Sequence, residues 1–144
     1  MAFVHGKNSI IKVDNAAGTL VDISTATNSV ELPRSLDTGE TTAMGGTGAK
    51  TYVAGLNDGT VSISGLYDPA TDAILSAAVD AIAAGTLASA SVEWSPAGLP
   101  ASATKPTFKL EVLWTSYSVS AGVGDVETFK LEGQRTGATT RAIV

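Results

Sequence analysis

Alternating apolar and polar residues run through most of the chain and predict half-buried β-strands. In residues 59–65, Val61 and Ile63 alternate with serines, and the same alternation continues for longer in residues 108–120. Shorter runs of apolar and β-branched residues predict further strands at residues 10–13, 20–23, 28–32, 51–54, 87–95 and 125–132. The turn signal Asn57-Asp58-Gly59 separates two of these strands. The sequence therefore predicts a mainly β protein with antiparallel strands.

One segment has helical periodicity. Asp68 and Pro69 supply an N-cap and a first helical residue, and Gly85 can end the helix in a left-handed conformation. Between them, an apolar stripe consists of Ile74, Leu75, Ala78 and Ile82. The predicted fold is an antiparallel β-sandwich or open barrel with one flanking α-helix at about residues 69–84. We expect a single domain of residues 1–144.

Residues 35–51 interrupt the alternation and predict a long loop. The segment contains Gly39, Gly45, Gly46 and Gly48 among many threonines, and it has no period of 2 or 3.6 residues. A loop of this length without internal structure is uncommon in a compact domain and is usually functional or disordered. It is therefore the first candidate for a functional segment.

Charge is sparse, and the balance is acidic. Fourteen acidic residues against nine basic ones give a net charge of -5. Tight binding to a nucleic-acid backbone depends on Lys and Arg that release counterions, so this balance argues against it. A low charge content with many small polar residues suits a chain whose surface is largely covered by partners. An ordinary soluble β-protein has a similar composition, so both readings stay open here.

Several classes of site are excluded by residue content. The chain has no cysteine, which excludes disulfides and thiolate metal sites. No stretch reaches the roughly 20 apolar residues that span a bilayer. The alanine-rich residues 70–84 carry Asp72 and Asp80. We therefore expect no membrane insertion.

The sequence offers no catalytic constellation. His5 is the one histidine, and a triad would need a nucleophile and an orienting acid beside it. Residues 48–51 end like a phosphate-binding loop, but Ala49 precedes Lys50 and a predicted strand follows, where the motif needs a glycine and a helix. The acidic residues lie on separate predicted elements. We therefore predict that the protein is not an enzyme and has no cofactor or metal site.

The order of the predicted elements carries a resemblance. A short arm leads into the strand NSIIKV at residues 8–13, and the segments 29–32 and 51–54 flank the Gly/Thr-rich loop. The passage GTVSISGLYD at residues 59–68 then precedes the alanine-rich helix. Over nearly the whole chain, this order resembles the major tail tube proteins of siphophages.

The resemblance implies a structural virion protein that self-assembles into stacked hexameric rings. These rings form the bacteriophage tail tube, through which DNA is delivered into the host. The implied partners are sister copies, the tail terminator and the baseplate or tail tip proteins, with the tape measure protein and DNA transiently in the lumen. The implied location is the virion tail, assembled in the cytoplasm of the host bacterium. The loop 35–51 and terminal arms at residues 1–8 and 134–144 would bridge neighbouring rings.

The resemblance also implies roles for individual residues. The candidates for the face that lines the lumen are Ser29, Glu31, Ser62 and Ser64. The candidates for inter-ring contacts are Asp37, Thr38, Glu40, Thr41, Met44 and Lys50. Arg34 is the candidate for pairing with an acidic residue of a neighbouring subunit. Six copies at -5 would give a ring of about -30, and an acidic bore would repel DNA phosphates.

Two alternatives remain from the sequence. The first is another structural part of a virion, such as a tail terminator or a head decoration protein, which would stop at one ring or one shell. The second is a carbohydrate-binding β-sandwich module that uses Trp94 or Trp114 as a stacking platform. Both tryptophans have apolar neighbours at period 2, which favours packing in the core.

Overall fold

A computed structural model describes residues 3–46 and 48–143. The described residues form eight β-strands and one α-helix, preceded by a short 3-10 turn at Gly6–Asn8. The elements are β1 (Ile10–Asp14), β2 (Leu20–Asp22), β3 (Thr27–Glu31), β4 (Arg34–Glu40), β5 (Tyr52–Leu66), α1 (Pro69–Ala84), β6 (Ala90–Ser95), β7 (Thr107–Ser120) and β8 (Thr128–Ala142). The mainly β fold with one flanking helix is confirmed.

The strands form one antiparallel sheet in the order β2-β1-β6-β7-β8-β5-β3, and β4 pairs with β5 outside this path. The two ends of the sheet, β2 and β3, are joined by residues 23–26 alone. The Ile23 N–H donates to the Ile11 carbonyl in β1, and the Leu66 N–H of β5 donates to the Ala26 carbonyl. The short connection therefore holds the two sheet ends near each other, and the sheet is curled into an open barrel.

The core lies inside this curl, where the apolar residues of alternating strands meet one face of α1. The side chains of Val13, Ile63, Leu75, Val112 and Leu131 have no exposed surface. They form one cluster with the other inward-facing residues of β1, β5, β6, β7 and β8. Period-2 alternation in the sequence thus corresponds to burial of one face of each strand.

The helix begins and ends at the predicted residues. The Asp68 carboxylate accepts hydrogen bonds from the Thr71 N–H (3.3 Å) and the Thr71 hydroxyl (3.1 Å), and Gly85 has a φ of 79°. The buried positions are Thr71, Leu75, Ala78 and Ala81, whereas Ile74 and Ile82 are half-buried. The buried face is therefore rotated towards the small residues, which bring α1 close to the sheet.

A hydrogen bond ties α1 to the barrel. The Tyr117 hydroxyl of β7 donates to Asp72 Oδ1 of α1 at 2.7 Å. Burial, together with this bond to a carboxylate, raises the pKa of Tyr117 above its ordinary value. The phenol therefore stays protonated and keeps donating across the physiological pH range.

The prediction of a loop without regular structure at residues 35–51 is wrong at its first part. Residues 35–40 belong to β4, which pairs with β5. Every side chain of β4 is exposed, so the strand has no buried face and shows no period-2 signal. The loop itself covers residues 41–51, of which Thr47 lies outside the described residues.

Two further boundaries differ from the prediction. β5 is one continuous strand, because the turn-forming residues Asn57 and Asp58 use their side chains to bond β8 instead of forming a turn. A free C-terminal arm from residue 134 is also wrong, because residues 134–142 continue β8 and pair with β7. Of the predicted arms, residues 1, 2 and 144 lie outside the described residues.

Within the described part of the chain, no helix is long and apolar enough to cross a membrane.

Candidate functional site

The strands β4 and β5 form a hairpin that extends beyond the barrel. The β5–β8 pairing ends at Thr60 and Gln134, after which β8 stays with β7 and β5 continues with β4 alone. All side chains of β4 and of residues 52–58 in β5 are exposed. The projecting part of β5 is roughly 23 Å long at 3.3 Å per residue. Both faces of this hairpin are therefore available to another molecule.

The hairpin carries large apolar side chains in solvent. Leu36, Tyr52 and Val53 are more than half exposed, Leu56 is 79% exposed, and Met44 at the tip is fully exposed. We call these five residues the hairpin surface. An isolated two-stranded hairpin is at best marginally stable in water, and a group of exposed apolar residues marks a site of interaction. The hairpin surface is therefore a candidate site of interaction with another molecule.

The base of the hairpin is fixed by two polar residues of β8. Arg135 is 6% exposed; its Nη2 donates to Asn57 Oδ1 at 2.5 Å, and its Nη1 donates to Thr139 Oγ1 at 2.8 Å. The Gln134 amide donates to Asp58 Oδ1 at 2.6 Å and to the Gly59 carbonyl at 2.8 Å. These bonds lie where β5 leaves β8, so they set the direction in which the hairpin projects.

Removing the acceptor at Asn57 should loosen this base. We expect Asn57→Ala to lower the free energy of unfolding by about 1–3 kcal/mol, because a buried donor loses its partner. Amide hydrogen exchange at residues 52–58 should become faster in this variant. The control is Ser35→Ala, which removes only a 3.5 Å contact to the Asp58 carbonyl at an exposed site and should change stability by less than about 0.5 kcal/mol. Unchanged stability and exchange in Asn57→Ala would show that Arg135 does not hold the hairpin.

The structure brings the predicted inter-ring candidates to this one hairpin. Asp37, Thr38 and Glu40 lie on β4, and Met44 and Lys50 lie in the loop at its tip. The Thr41 N–H donates to the Thr51 carbonyl at 2.8 Å and closes the loop. Their predicted role in contacts between rings stays a prediction.

Arg34, the candidate for pairing with a neighbouring subunit, begins β4 opposite Gly59. Its side chain is exposed. The ion pairs within residues 3–46 and 48–143 are Lys109–Glu93 and Lys130–Glu132, so the Arg34 guanidinium has no carboxylate within 4.0 Å in this part of the chain. Its charge is available to a second molecule.

The four lumen candidates also lie together. Ser29 is directly opposite Ser64, and Glu31 is directly opposite Ser62, on the face of β3 and β5 that points away from the core. The same two rows continue across β8 and β7. We call the whole set the polar ladder, and its rows are Glu31, Ser62, Glu132 and Ser116, and Ser29, Ser64, Lys130 and Ser118.

Most side chains of the polar ladder are small serines, and its net charge is mildly acidic. Lys130 Nζ lies 2.9 Å from Glu132 Oε1, and the hydrogen bond and charge of Glu132 raise the pKa of Lys130. The lysine charge is therefore offset within the ladder. Two glutamates and one lysine leave a net charge of -1 per copy. The sequence did not identify Lys130, Glu132, Ser116 and Ser118, because the order of strands in the sheet is not visible from periodicity.

Other candidate chemistry is weaker. An open groove of about 600 Å³ includes His5, Ser24 and Trp94. Within residues 3–46 and 48–143, no group of three His, Asp or Glu side chains is placed to hold a metal ion. Trp114 is 6% exposed and belongs to the core, so its ring is not available as a stacking platform.

No protein-family model matches the sequence, and no curated protein matches it. The fold, in contrast, is similar to that of solved structures. A chain in the tail of an empty gene transfer agent (GTA) particle with C6 symmetry is 14% identical with a TM-score of 0.76, over 97% of this chain and 99% of that chain. A chain of the SPP1 tail tube is 11% identical with a TM-score of 0.68, over 99% of this chain and 81% of that chain.

A third similar structure is the tube terminating cap of the anti-feeding prophage (AFP). A chain in that structure is 15% identical with a TM-score of 0.70, over 100% of this chain and 93% of that chain. At these identities the likeness shows the fold. The chain therefore has the fold found in these tail, tube and cap structures, which confirms at the level of the fold the resemblance found in the sequence.

Proposed function

We propose that this chain is a structural virion protein that assembles into stacked hexameric rings and forms the tail tube of a bacteriophage. The observation that carries the proposal is a shared fold over 97% of the chain with a component of a C6-symmetric tail. The protein then works by contacts between copies, not by chemistry at a site.

The open strand edges support self-assembly. The backbone of residues 52–58 is paired with β4 on one side, and residues 135–142 are paired with β7 on one side. Exposed strand edges pair readily with other chains, and closure into a ring removes them. A head-to-tail contact that repeats by rotation makes such a ring, and one that also advances along an axis makes a filament.

The polar ladder supports a bore that DNA can pass. In a hexamer, -1 per copy gives -6 on these ladders from twelve glutamates and six lysines. Each Lys130 Nζ lies 2.9 Å from Glu132 Oε1, so the carboxylate offsets the lysine charge near a phosphate. Since DNA affinity depends on cations that replace counterions, a serine-rich and acidic lining favours sliding over sticking. We place Ser29, Glu31, Ser62 and Ser64 on this lining.

The remaining partners follow from the same proposal. The tape measure protein and DNA occupy the lumen in turn, and a terminator and a baseplate or tip protein bind the two ends of the tube. Assembly takes place in the cytoplasm of the infected bacterium, and the mature protein is in the virion tail. The siphophage class is part of this proposal.

Sedimentation velocity over a concentration series tests the proposed function. We expect monomers at low concentration and, above a threshold, species of steadily growing size. A distribution that stops at one ring would favour the second candidate, a tube terminator, for which the likeness to the AFP cap is the supporting observation. A strictly monomeric protein at all concentrations would contradict both.

A further inference from the structure

A second exposed apolar surface lies at the opposite end of the molecule from the hairpin surface. It consists of Leu66 (47% exposed), Val119 (45%), Val123 (109%) and Val126 (70%), and we call it the turn surface. Leu66 is opposite Thr128, and Ser120 is opposite the same residue, so the end of β5 and the β7–β8 turn are neighbours. Because β5 is continuous, its first residues carry the hairpin surface and its last residue belongs to the turn surface.

The surroundings of the turn surface are acidic. Residues 66–72 and 119–128 contain Asp68, Asp72, Asp125 and Glu127 and no Lys or Arg. These groups are close in space: the Tyr67 N–H donates to the Glu127 carbonyl at 2.9 Å. The nearby carboxylates, with Asp72 first and then Glu127 and Asp68, together with some burial, raise the pKa of Tyr67. The turn surface therefore carries apolar side chains beside uncompensated negative charge.

The hairpin end has the complementary charges. Arg34 and Lys50 lie on the hairpin, Lys105 lies just before β7, and Arg141 lies opposite Phe108 near the start of β7. None of these four takes part in an ion pair within the described residues. The acidic residues of the hairpin are Asp37, Glu40 and Asp58. Within the hairpin, Arg34 and Lys50 stand against these three carboxylates and give -1; Lys105 and Arg141 raise the sum at this end of the molecule to +1, against -4 around the turn surface.

We propose that the turn surface of one copy receives the hairpin surface of the next copy along the tube. This inference rests on the proposed function and adds the partner of the hairpin. Two different surfaces at opposite ends of one molecule make a heterologous contact, which repeats without closing when it runs along an axis. An apolar centre with charged residues around it is also the usual anatomy of a protein interface. The cations without an ion pair at the hairpin end can meet the carboxylates around the turn surface, which favours this head-to-tail orientation, and the -4 around each turn surface disfavours contact between two turn surfaces.

Cross-linking between engineered cysteines tests the pairing, since the chain has no cysteine of its own. The double variant Leu56→Cys/Val123→Cys places one thiol on each surface at exposed positions. Assembled protein is treated with a short bismaleimide and separated on a denaturing gel. We expect a series of covalent multimers on the gel, because each copy links to one copy above and one below. The control Leu56→Cys/Ala83→Cys, with the second thiol on an exposed part of α1, should give no covalent multimers.

The outcomes separate this inference from the proposed function. If the double variant forms tubes but gives no covalent multimers, the pairing is overturned and the tube function is left intact. Absence of tubes from the wild-type protein would instead contradict the function.

A second variant, Val123→Asp/Val126→Asp, addresses the case in which the thiol variant assembles poorly. We expect it to keep the wild-type unfolding midpoint and to lose tubes, whereas Val123→Thr/Val126→Thr should lose fewer; normal tubes from the aspartate variant would overturn the pairing.

Discussion

Replacing Leu36 and Leu56 by serine should abolish tubes while the protein stays folded. The two side chains are 56% and 79% exposed in the single copy, so their loss should change the free energy of unfolding by less than about 0.5 kcal/mol. In the tube, each leucine that becomes buried contributes about 1.5–3 kcal/mol. In the proposed tube this contact repeats in every copy of every ring, so the loss would multiply along the tube. Negative-stain imaging and urea unfolding measure the two effects.

The matched control is Leu36→Met/Leu56→Met, which keeps apolar volume at both positions and should keep tubes. Single rings or monomers from the serine variant, with a wild-type unfolding midpoint, agree with a role of the hairpin between rings. Tubes of normal length from the serine variant would show that the hairpin surface is not part of the assembly.

Gly133→Ala should strongly destabilise the fold. A Cβ at Gly133 would lie 2.4 Å from Val112 Cγ1, 2.7 Å from Trp114 Cε3 and 2.9 Å from the Leu113 carbonyl. Because Val112 and Trp114 are buried, neither can move without disturbing the core. We expect a loss of about 3 kcal/mol, which is the upper part of the range for overpacked cores and a large share of the 5–15 kcal/mol that stabilises a typical domain.

Urea unfolding measures this loss. Gly6→Ala is the control, because a Cβ there meets no atom within 4 Å, and its stability should match that of the wild type. If Gly133→Ala were as stable as Gly6→Ala, β8 would not pass as close to β7 as the structure places it.

Gly133 also explains why the sequence predicted part of the fold only. Half-buried strands were readable because burial of one face leaves a period of 2, as in Val61 and Ile63 or Phe129 and Leu131. Glycine usually interrupts such a pattern, so β8 was predicted to end before Gly133. In the structure, the missing side chain lets Trp114 and Val112 pack against the strand, and β8 continues to Ala142.

Sequence periodicity did not predict the hairpin, for a related reason. A strand that is exposed on both faces selects no alternation, so β4 resembled a loop in sequence. Asn57 and Asp58 favoured a turn in local terms, but their side chains are bonded to Arg135 and Gln134, which are 76 or more residues away in the chain. Local propensity could not anticipate contacts at that separation.

The sequence predicted four residues of the polar ladder but not the neighbours that complete it. The period-2 pattern placed four residues on the polar faces of their strands: Ser29, Glu31, Ser62 and Ser64. They form two cross-strand pairs because β3 is paired with β5. Their neighbours Lys130 and Glu132 depend on β8 lying next to β5. The turn surface was also missed, since exposed valines in a turn have no pattern of their own.

Cryo-electron microscopy of concentrated wild-type protein tests the central claim most directly. The account predicts tubes built of six-fold rings, in which the polar ladder lines the bore and each hairpin reaches a subunit of the adjacent ring. Single particles of one copy at every concentration, with Leu36 and Leu56 left in solvent, would contradict it.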